Sequence, residues 1–424
     1  MKVRRCVPVA ALICCAKVAA AQSAFTIDQA VQEAVEKNLS LLAERSNLTV
    51  AEAAIVTARL RPNPVLSGGA NSLDWLGTGF DETNSAGPPE YSVRVDVPFE
   101  RGHKREWRTA VADSAKRVAE AQFADSIRRL KLDVTIAAID VLEARAKLRL
   151  ARENLDSLER LVQLNVTRLT SGALPPLEVT RSRVAMLQYR GSVKAAELSL
   201  TQSRLKLHTL LGRQPSASLV DVTDDLGSTP AQLPGDIDAL QASARVFRPD
   251  LRALHADQAR SQSDLRLQLA QGRVDYTFGA EYRRQQGVNG KGNLLGLFVS
   301  VPLPVFNRNQ GEIARAEAET NKAGRSLAAL ETNVAGEVAS AYQEFETARQ
   351  LLVEMERDLL QPVADARAGT TYVYQAGATS LVDVLDAQRA FNETMDTYYT
   401  AQAAYRRAEA RLGLVAGADL GSRP

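Results

Sequence analysis

A chain of 424 residues with 45% hydrophobic and 24% charged content is folded, not disordered, and could hold two or three ordinary domains. Its formal charge of +2 argues against a nucleic-acid-binding chain, and 5% aromatic residues is low for a compact enzyme core. No G-x-S-x-G, no Gly-rich phosphate loop ahead of a helix and no His or Cys pair at ligand spacing is present, so enzymatic chemistry has no motif to rest on.

The first residues predict a secretory signal over 1–21. Lys2, Arg4 and Arg5 are basic, Cys6 to Ala16 is mostly apolar, and Ala19-Ala20-Ala21 offers a small-x-small cleavage site before Gln22. Cleavage there removes four bases and no acid, taking the formal charge from +2 to −2. It also removes Cys6, Cys14 and Cys15, leaving no disulfide and no thiolate ligand. Ile13 before Cys14, and Cys14 before Cys15, argue against lipidation. No later stretch offers ~18 uncharged apolar residues, so any membrane crossing must be by β-barrel.

Thr26 caps a predicted helix whose apolar positions run from Ile27 to Leu60, where Pro62 and Pro64 end it. A strand is expected at about 64–72, then a polar loop from Asp74 to Glu90. The alternation of Tyr91, Val93, Val95 and Val97 with Ser92, Arg94 and Asp96 gives a second strand at about 91–99. From His103 to Ser171 there is neither Gly nor Pro, which at 1.5 Å per residue is on the order of 100 Å of helix. Phe123, Ile127, Leu130, Val134, Ala137, Val141, Ala144, Leu148, Ala151, Leu155, Leu158, Val162, Asn165 and Leu169 step by threes and fours, a heptad seam with Asn165 alone polar. Ser171-Gly172-Ala173-Leu174-Pro175-Pro176 turns the chain into a returning helix, Leu177 to Leu211. An irregular connector occupies 212–235.

The second half repeats the first. At an offset of about 212, Asn38-Leu39 falls on Asp250-Leu251; at about 206, Val93, Val95, Val97 and Pro98 fall on Val299, Val301, Leu303 and Pro304; at about 205, Gly172-Ala173 falls on Gly377-Ala378 and Gly212 on Gly417. Repeats of 22–211 and 236–417 follow, with a tail at 418–424. Strands three and four are expected at about 274–284 and 295–304, with a loop from Gln285 to Leu294. The second long helix, Glu312 to Ala376, carries Gly324, Gly336, Pro362 and Gly369 and is expected to bend. Four strands cannot close a barrel, whereas two copies supply eight and three supply twelve. The fold class expected is therefore mainly α with a membrane β-barrel, the helices continuing it as a hollow barrel.

Several signatures resemble the TolC type of outer-membrane efflux protein. They are Arg61-Pro62-Asn63-Pro64, Arg248-Pro249-Asp250-Leu251, and the run Gln375 to Gln388 (QAGATSLVDVLDAQ). Pro302 to Gly311 (PLPVFNRNQG) and Phe99 to Arg105 are most similar to the CzcC-like branch, which serves cobalt-zinc-cadmium efflux. The resemblance implies a homotrimer in the outer membrane, a 12-stranded barrel and a periplasmic α-barrel. It also implies a periplasmic adaptor and an inner-membrane proton-driven RND transporter as partners, contact with outer-membrane lipid, no nucleic acid, no cofactor and no catalysis. Gly172, Ala173, Leu174, Gly377, Ala378 and Thr379 would meet the adaptor.

The gate of the family lies at the hairpin tips, here Thr170 to Val179 and Tyr374 to Asp386. Asp383 and Asp386, at i and i+3, would form acidic rings favouring cations, and also stand where helix capping places acids. Glu178 and Tyr374 occupy the acid and tyrosine positions of the family's closing links, while Thr379 stands in place of the arginine, so weaker hydrogen bonds are expected there. His103, His208 and His255 lie far apart and form no metal site. Arg101, His103, Lys104, Arg105 and Arg108 read as the periplasmic rim of the membrane section. The same architecture could serve a drug or organic-solute pump or type I secretion; a periplasmic coiled-coil adaptor would share the heptads without needing the strands.

Overall fold

A computed structural model describes residues 24–417 except 74, 78–88, 215–218, 220, 228–235 and 288–289. The predicted signal segment, the tail at 418–424, most of the 74–90 loop and part of the connector lie outside the described residues. In chain order the elements are β1 (Ala24–Phe25), α1 (Ile27–Lys37), α2 (Leu39–Arg59), β2 (Val65–Asn71), β3 (Glu90–Phe99), α3 (Lys104–Thr170), α4 (Pro176–Leu210), β4 (Asp221–Val222), α5 (Ile237–Phe247), α6 (Pro249–Gln271), β5 (Tyr276–Gly287), β6 (Gly290–Ser300), α7 (Gln310–Asp358), α8 (Leu360–Gln375) and α9 (Leu381–Ala416). Two compact units arise, one from Met1–Asn38, Asp133–Pro230 and Ala348–Arg407, the other from Leu39–Leu132, Ala231–Thr347 and Ala408–Pro424.

In the first unit, Thr26 and Gln29 close a capping box at the start of α1. The predicted helix to Leu60 is broken at Asn38, whose backbone is extended and whose Nδ2 donates to the Leu210 carbonyl at 2.9 Å. The connector contributes β4, paired parallel with β1, and Arg145 ties it down through the carbonyls of Val222 and Asp224. Along α3 the middle of the seam is buried, with Val134, Ala137, Val141, Leu148 and Leu158 inside, while Ala151, Leu155, Val162 and Leu169 are half-buried. A polar rung interrupts the packing of α3 on α9: Gln388 donates to Asn154 at 2.8 Å and Asn154 to Asn392 at 2.6 Å. Such a satisfied buried rung is lost if the helices slide by a turn, so it sets their register.

In the second unit the helix pair α5 and α6 breaks at Arg248, again an extended residue. Arg248 is Asn38's counterpart, which places the repeat offset at 210 for these helices and corrects the 212 read from Asp250-Leu251. The Arg248 guanidinium is buried and held by Asp250 at 2.5 Å and Glu337 at 2.6 Å. The second long helix is interrupted in its first-unit part, where α7 gives way to α8 at Leu359 (φ −120°, ψ −38°). Pro362 lies three residues beyond, and its ring denies the Asp358 carbonyl a helical partner. Gly324 and Gly336 lie within α7 without breaking it.

The sheet of the second unit is antiparallel, in the order β2-β3-β5-β6, and β3 against β5 joins the two repeats. The third and fourth strands are longer than expected toward their hairpin, since Gly287 pairs with Gly290. Most of the expected 285–294 loop is thus strand. The fourth strand ends at Ser300, not at Pro304, because Pro302 and Pro304 have no N–H for a ladder. The alternation is inverted relative to a soluble sheet. Tyr91, Val93, Val95, Val97 and Phe99 are exposed, and Leu297 (82%) and Val299 (66%) still more so, while Glu281 on the other face is 8% exposed. From Tyr91 to Phe99 the apolar face spans roughly 26 Å at 3.3 Å per residue, with Tyr91 and Tyr282 near one end and Phe99, Tyr276 and Phe278 near the other. An apolar band about 25 Å tall between aromatic girdles is the pattern of a strand facing lipid.

The turns joining strands to helices are locked by charge. Lys104, buried, donates at 2.7 Å to both the Arg273 carbonyl and Asp275, whose other oxygen accepts from the Arg101 N–H at 2.8 Å. Arg101 also bonds and stacks on Tyr276, Arg108 pairs with Glu100, and His103 pairs with Glu106. These members of the basic cluster are therefore spent on internal ties.

Candidate functional site

The two helical turns of the first unit are built alike. At the end of α3 the N–H of Ala173 reaches the Arg168 carbonyl at 2.8 Å and that of Gly172 reaches Leu169 at 3.0 Å. At the end of α8, Ala378 reaches Val373 at 3.0 Å and Gly377 reaches Tyr374 at 2.9 Å. Both are Schellman motifs, and each needs its glycine because φ there is +77° and +81°. No atom lies within 4 Å of a Cβ placed on either, so the requirement is conformational, not one of space. Ala173 and Ala378 are exposed, and Leu174 and Thr379 are half-buried.

Beneath the turns a core of Leu158, Leu161, Ala185, Tyr374, Leu381 and Val384 draws on α3, α4, α8 and α9. Tyr374 is its polar member. Its hydroxyl donates to Asn165 Oδ1 at 2.7 Å, and burial pushes the phenol above its ordinary pKa, so it remains a donor. Asn165 is the polar interruption of the α3 seam, and its Nδ2 is buried without a partner. One turn on, Arg168 lies over the Tyr374 ring at 5.3 Å and donates to the carbonyls of Tyr374 (3.2 Å) and Gln375 (2.6 Å). One hairpin thereby caps the helix end of the other, satisfying carbonyls that a helix leaves open.

The predicted acids are placed as follows. Asp383 accepts from the Ser380 hydroxyl (2.7 Å), the Thr379 hydroxyl (2.7 Å) and the Ser380 N–H (3.1 Å), while its own N–H reaches Ser380 Oγ at 3.3 Å. This is a reciprocal cap at the start of α9. Asp386 is exposed and paired with Arg389 at 3.3 Å. Glu178 is paired with Arg181 at 3.0 Å and makes no hydrogen bond to Tyr374; Thr379, at the missing arginine's position, serves Asp383. The cation beside Tyr374 is instead Arg168, from the opposite hairpin. Sequence reasoning singled out its neighbour Asn165 but not Arg168 itself, which looks like an ordinary base in a helix's last turn.

Hydrogen bonds from Ser380 and then Thr379 hold the Asp383 carboxyl below the ordinary aspartate value of 3.8. A carboxyl lowered by folding stabilises above its unfolded pKa, and that contribution goes as pH falls through the lower folded value. Amide exchange at 380–384 in wild type is therefore expected to stay slow at pH 3.8, whereas Asp383→Asn speeds it at neutral pH. Equal exchange in the two proteins would remove the cap from the account.

Among the described residues no group of three His, Cys, Asp or Glu could hold a metal ion, and no helix is long and apolar enough to cross a membrane.

A duplicated order of helices and strands, with one face of the sheet apolar and exposed, defines the class as an outer-membrane channel of TolC type. The outer membrane efflux protein family model matches residues 30–213 and again 240–418, and the chain belongs to that family. The cobalt-zinc-cadmium resistance protein CzcC of Cupriavidus metallidurans is 25% identical over 365 residues, covering 86% of this chain and 83% of that protein. The pyoverdine export outer membrane protein OpmQ of Pseudomonas aeruginosa is 25% identical over 414 residues, covering 92% and 84%. A solved structure of CusC aligns over 93% of this chain and 92% of its own with a TM-score of 0.76 at 18% identity.

Proposed function

We propose that this protein is the outer-membrane channel of a tripartite, proton-driven efflux pump. It conducts divalent heavy-metal cations passively from the periplasm to the exterior. The observation that carries the proposal is the inverted sheet, apolar outward and charged on the other face, with β2 and β6 as unpaired edges of the described sheet. Edges in a membrane must be paired, and three copies pairing β2 to β6 would close twelve strands with no edge left. After loss of 1–21 the mature chain would sit in the outer membrane and reach into the periplasm. There Gly172, Ala173, Leu174, Gly377, Ala378 and Thr379 would meet a periplasmic adaptor coupled to an inner-membrane RND transporter.

The gate lies at the tips. Tyr374, joined to Asn165 and Arg168, holds the second hairpin to the first, and Asp386 with Asp383 supplies the acidic lining that favours cations. Similarity to CzcC supports metal cargo; the equal identity to OpmQ favours a second reading, the same channel serving an organic-solute pump. Deletion of the gene and complementation separate the two. Loss of cobalt, zinc or cadmium tolerance, restored by the plasmid copy, supports the first reading; unchanged metal tolerance with raised sensitivity to organic solutes supports the second. Asp383→Asn with Asp386→Asn is expected to weaken divalent block of the purified trimer, and unchanged block and selectivity would dismiss the acidic rings.

A further inference from the structure

The charged face of the sheet holds a constellation that the tips do not explain. The rung Ser67, Arg94, Glu281, Gly296 adjoins the rung Val65, Asp96, Gly279, Phe298, and partners across a ladder share a face. Arg94 is fixed from two sides: Asp96 accepts from its Nε at 2.9 Å and lies 2.8 Å from its Nη2, and the Phe298 ring lies 4.3 Å beneath its guanidinium carbon. Glu281 pairs with Arg283 at 2.8 Å, and Arg283 lies 3.7 Å from Glu90. The glycines make room for this. A Cβ on Gly279 would overlap the Asp96 carboxylate and press on Arg94, and one on Gly296 would stand 2.9 Å from the Phe298 ring.

Each chain thus places three acids, Glu90, Asp96 and Glu281, against two arginines, and holds them in a set geometry. We infer that Arg94, stacked on Phe298 and paired with Asp96, is a selectivity-determining residue of the strand section, compensating its acids so that multivalent cations pass without being held. The inference rests on the reading that three sheets close with this face inward. A conducting site must attract the ion enough to admit it and release it readily. Unpaired carboxylates on three chains would bind divalent cations tightly, and a fixed guanidinium among them lowers that affinity while leaving the wall weakly negative.

The test measures local potential without passing through the tips. Ser67→Cys is placed opposite Arg94, and its rates of reaction with a trimethylammonium and with a sulfonate methanethiosulfonate reagent are compared in lipid vesicles. The cationic reagent is expected to be the faster. Arg94→Gln is expected to raise the cation-to-anion rate ratio roughly threefold at 0.1 M salt, and Glu281→Gln to lower it. Leu66→Cys, on the apolar face, is expected to react far more slowly than Ser67→Cys. If both cysteines react alike, the lipid-and-water assignment of the faces fails and the inference with it. If only Ser67→Cys reacts and neither Arg94→Gln nor Glu281→Gln moves the ratio, the selectivity role alone is overturned.

Discussion

Gly212→Ala is expected to destabilise the protein by about 3 kcal/mol, the sum of a left-handed backbone penalty of about 1 and an overpacking penalty of about 2. Gly212 has φ +70°, and a Cβ there would run into the Lys37 carbonyl oxygen, with the Lys37 carbon at 3.0 Å and Asn38 Cα at 3.5 Å. All three are backbone atoms at the break between α1 and α2, so none can swing aside. The same contact recurs in the second repeat, where a Cβ on Gly417 (φ +67°) would lie 3.0 Å from Phe247 Cβ at the break between α5 and α6. Gly172 supplies the control, with φ +77° but nothing within 4 Å. Denaturant melts should rank the losses Gly212→Ala, Gly417→Ala, Gly172→Ala, the last costing about 1 kcal/mol. Equal losses at 212 and 172 would mean that the close approach is absent.

Arg168→Ala is expected to open the resting channel. It removes two charge-assisted hydrogen bonds to the carbonyls of Tyr374 and Gln375 and the stacking on Tyr374. At a half-buried site these amount to about 2 kcal/mol per chain, or roughly thirtyfold in the closed-to-open ratio. Cells carrying the variant should become sensitive to a large hydrophilic antibiotic that the outer membrane normally excludes. Arg168→Lys keeps the charge without the planar fork and should fall between. Glu178→Ala should change little, because Glu178 is engaged by Arg181 on its own helix. Sensitivity from Glu178→Ala with none from Arg168→Ala would reverse the assignment of the latch.

Much of this frame was legible because it rests on periodicity. The heptad seam of α3, the alternation of β3 and the glycine turns at 172 and 377 are local patterns, and duplication let each half check the other. What stayed hidden depends on partners distant in the chain. The break at Asn38 interrupts a continuous apolar pattern and is paired with a carbonyl 172 residues away. The end of β6 was misplaced because Val301 and Leu303 continue the alternation past Ser300, while the prolines among them remove the ladder donors. At the tips, Asn165 was visible as a polar residue in an apolar seam, but Arg168 was not, since its carbonyl partners lie 206 and 207 residues on. Asp383 could be read as lumen lining or as a cap, and only the positions of Ser380 and Thr379 reveal the cap.

Copies of this chain that close a water-filled, tip-gated, cation-preferring pore must conduct ions across a bilayer. The most direct measurement is the single-channel conductance and reversal potential of the purified protein in planar bilayers under a salt gradient. Small resting steps with a reversal potential on the cation-selective side are expected, enlarged in Arg168→Ala. Absence of conductance from both proteins, or anion selectivity in both, would contradict such a pore.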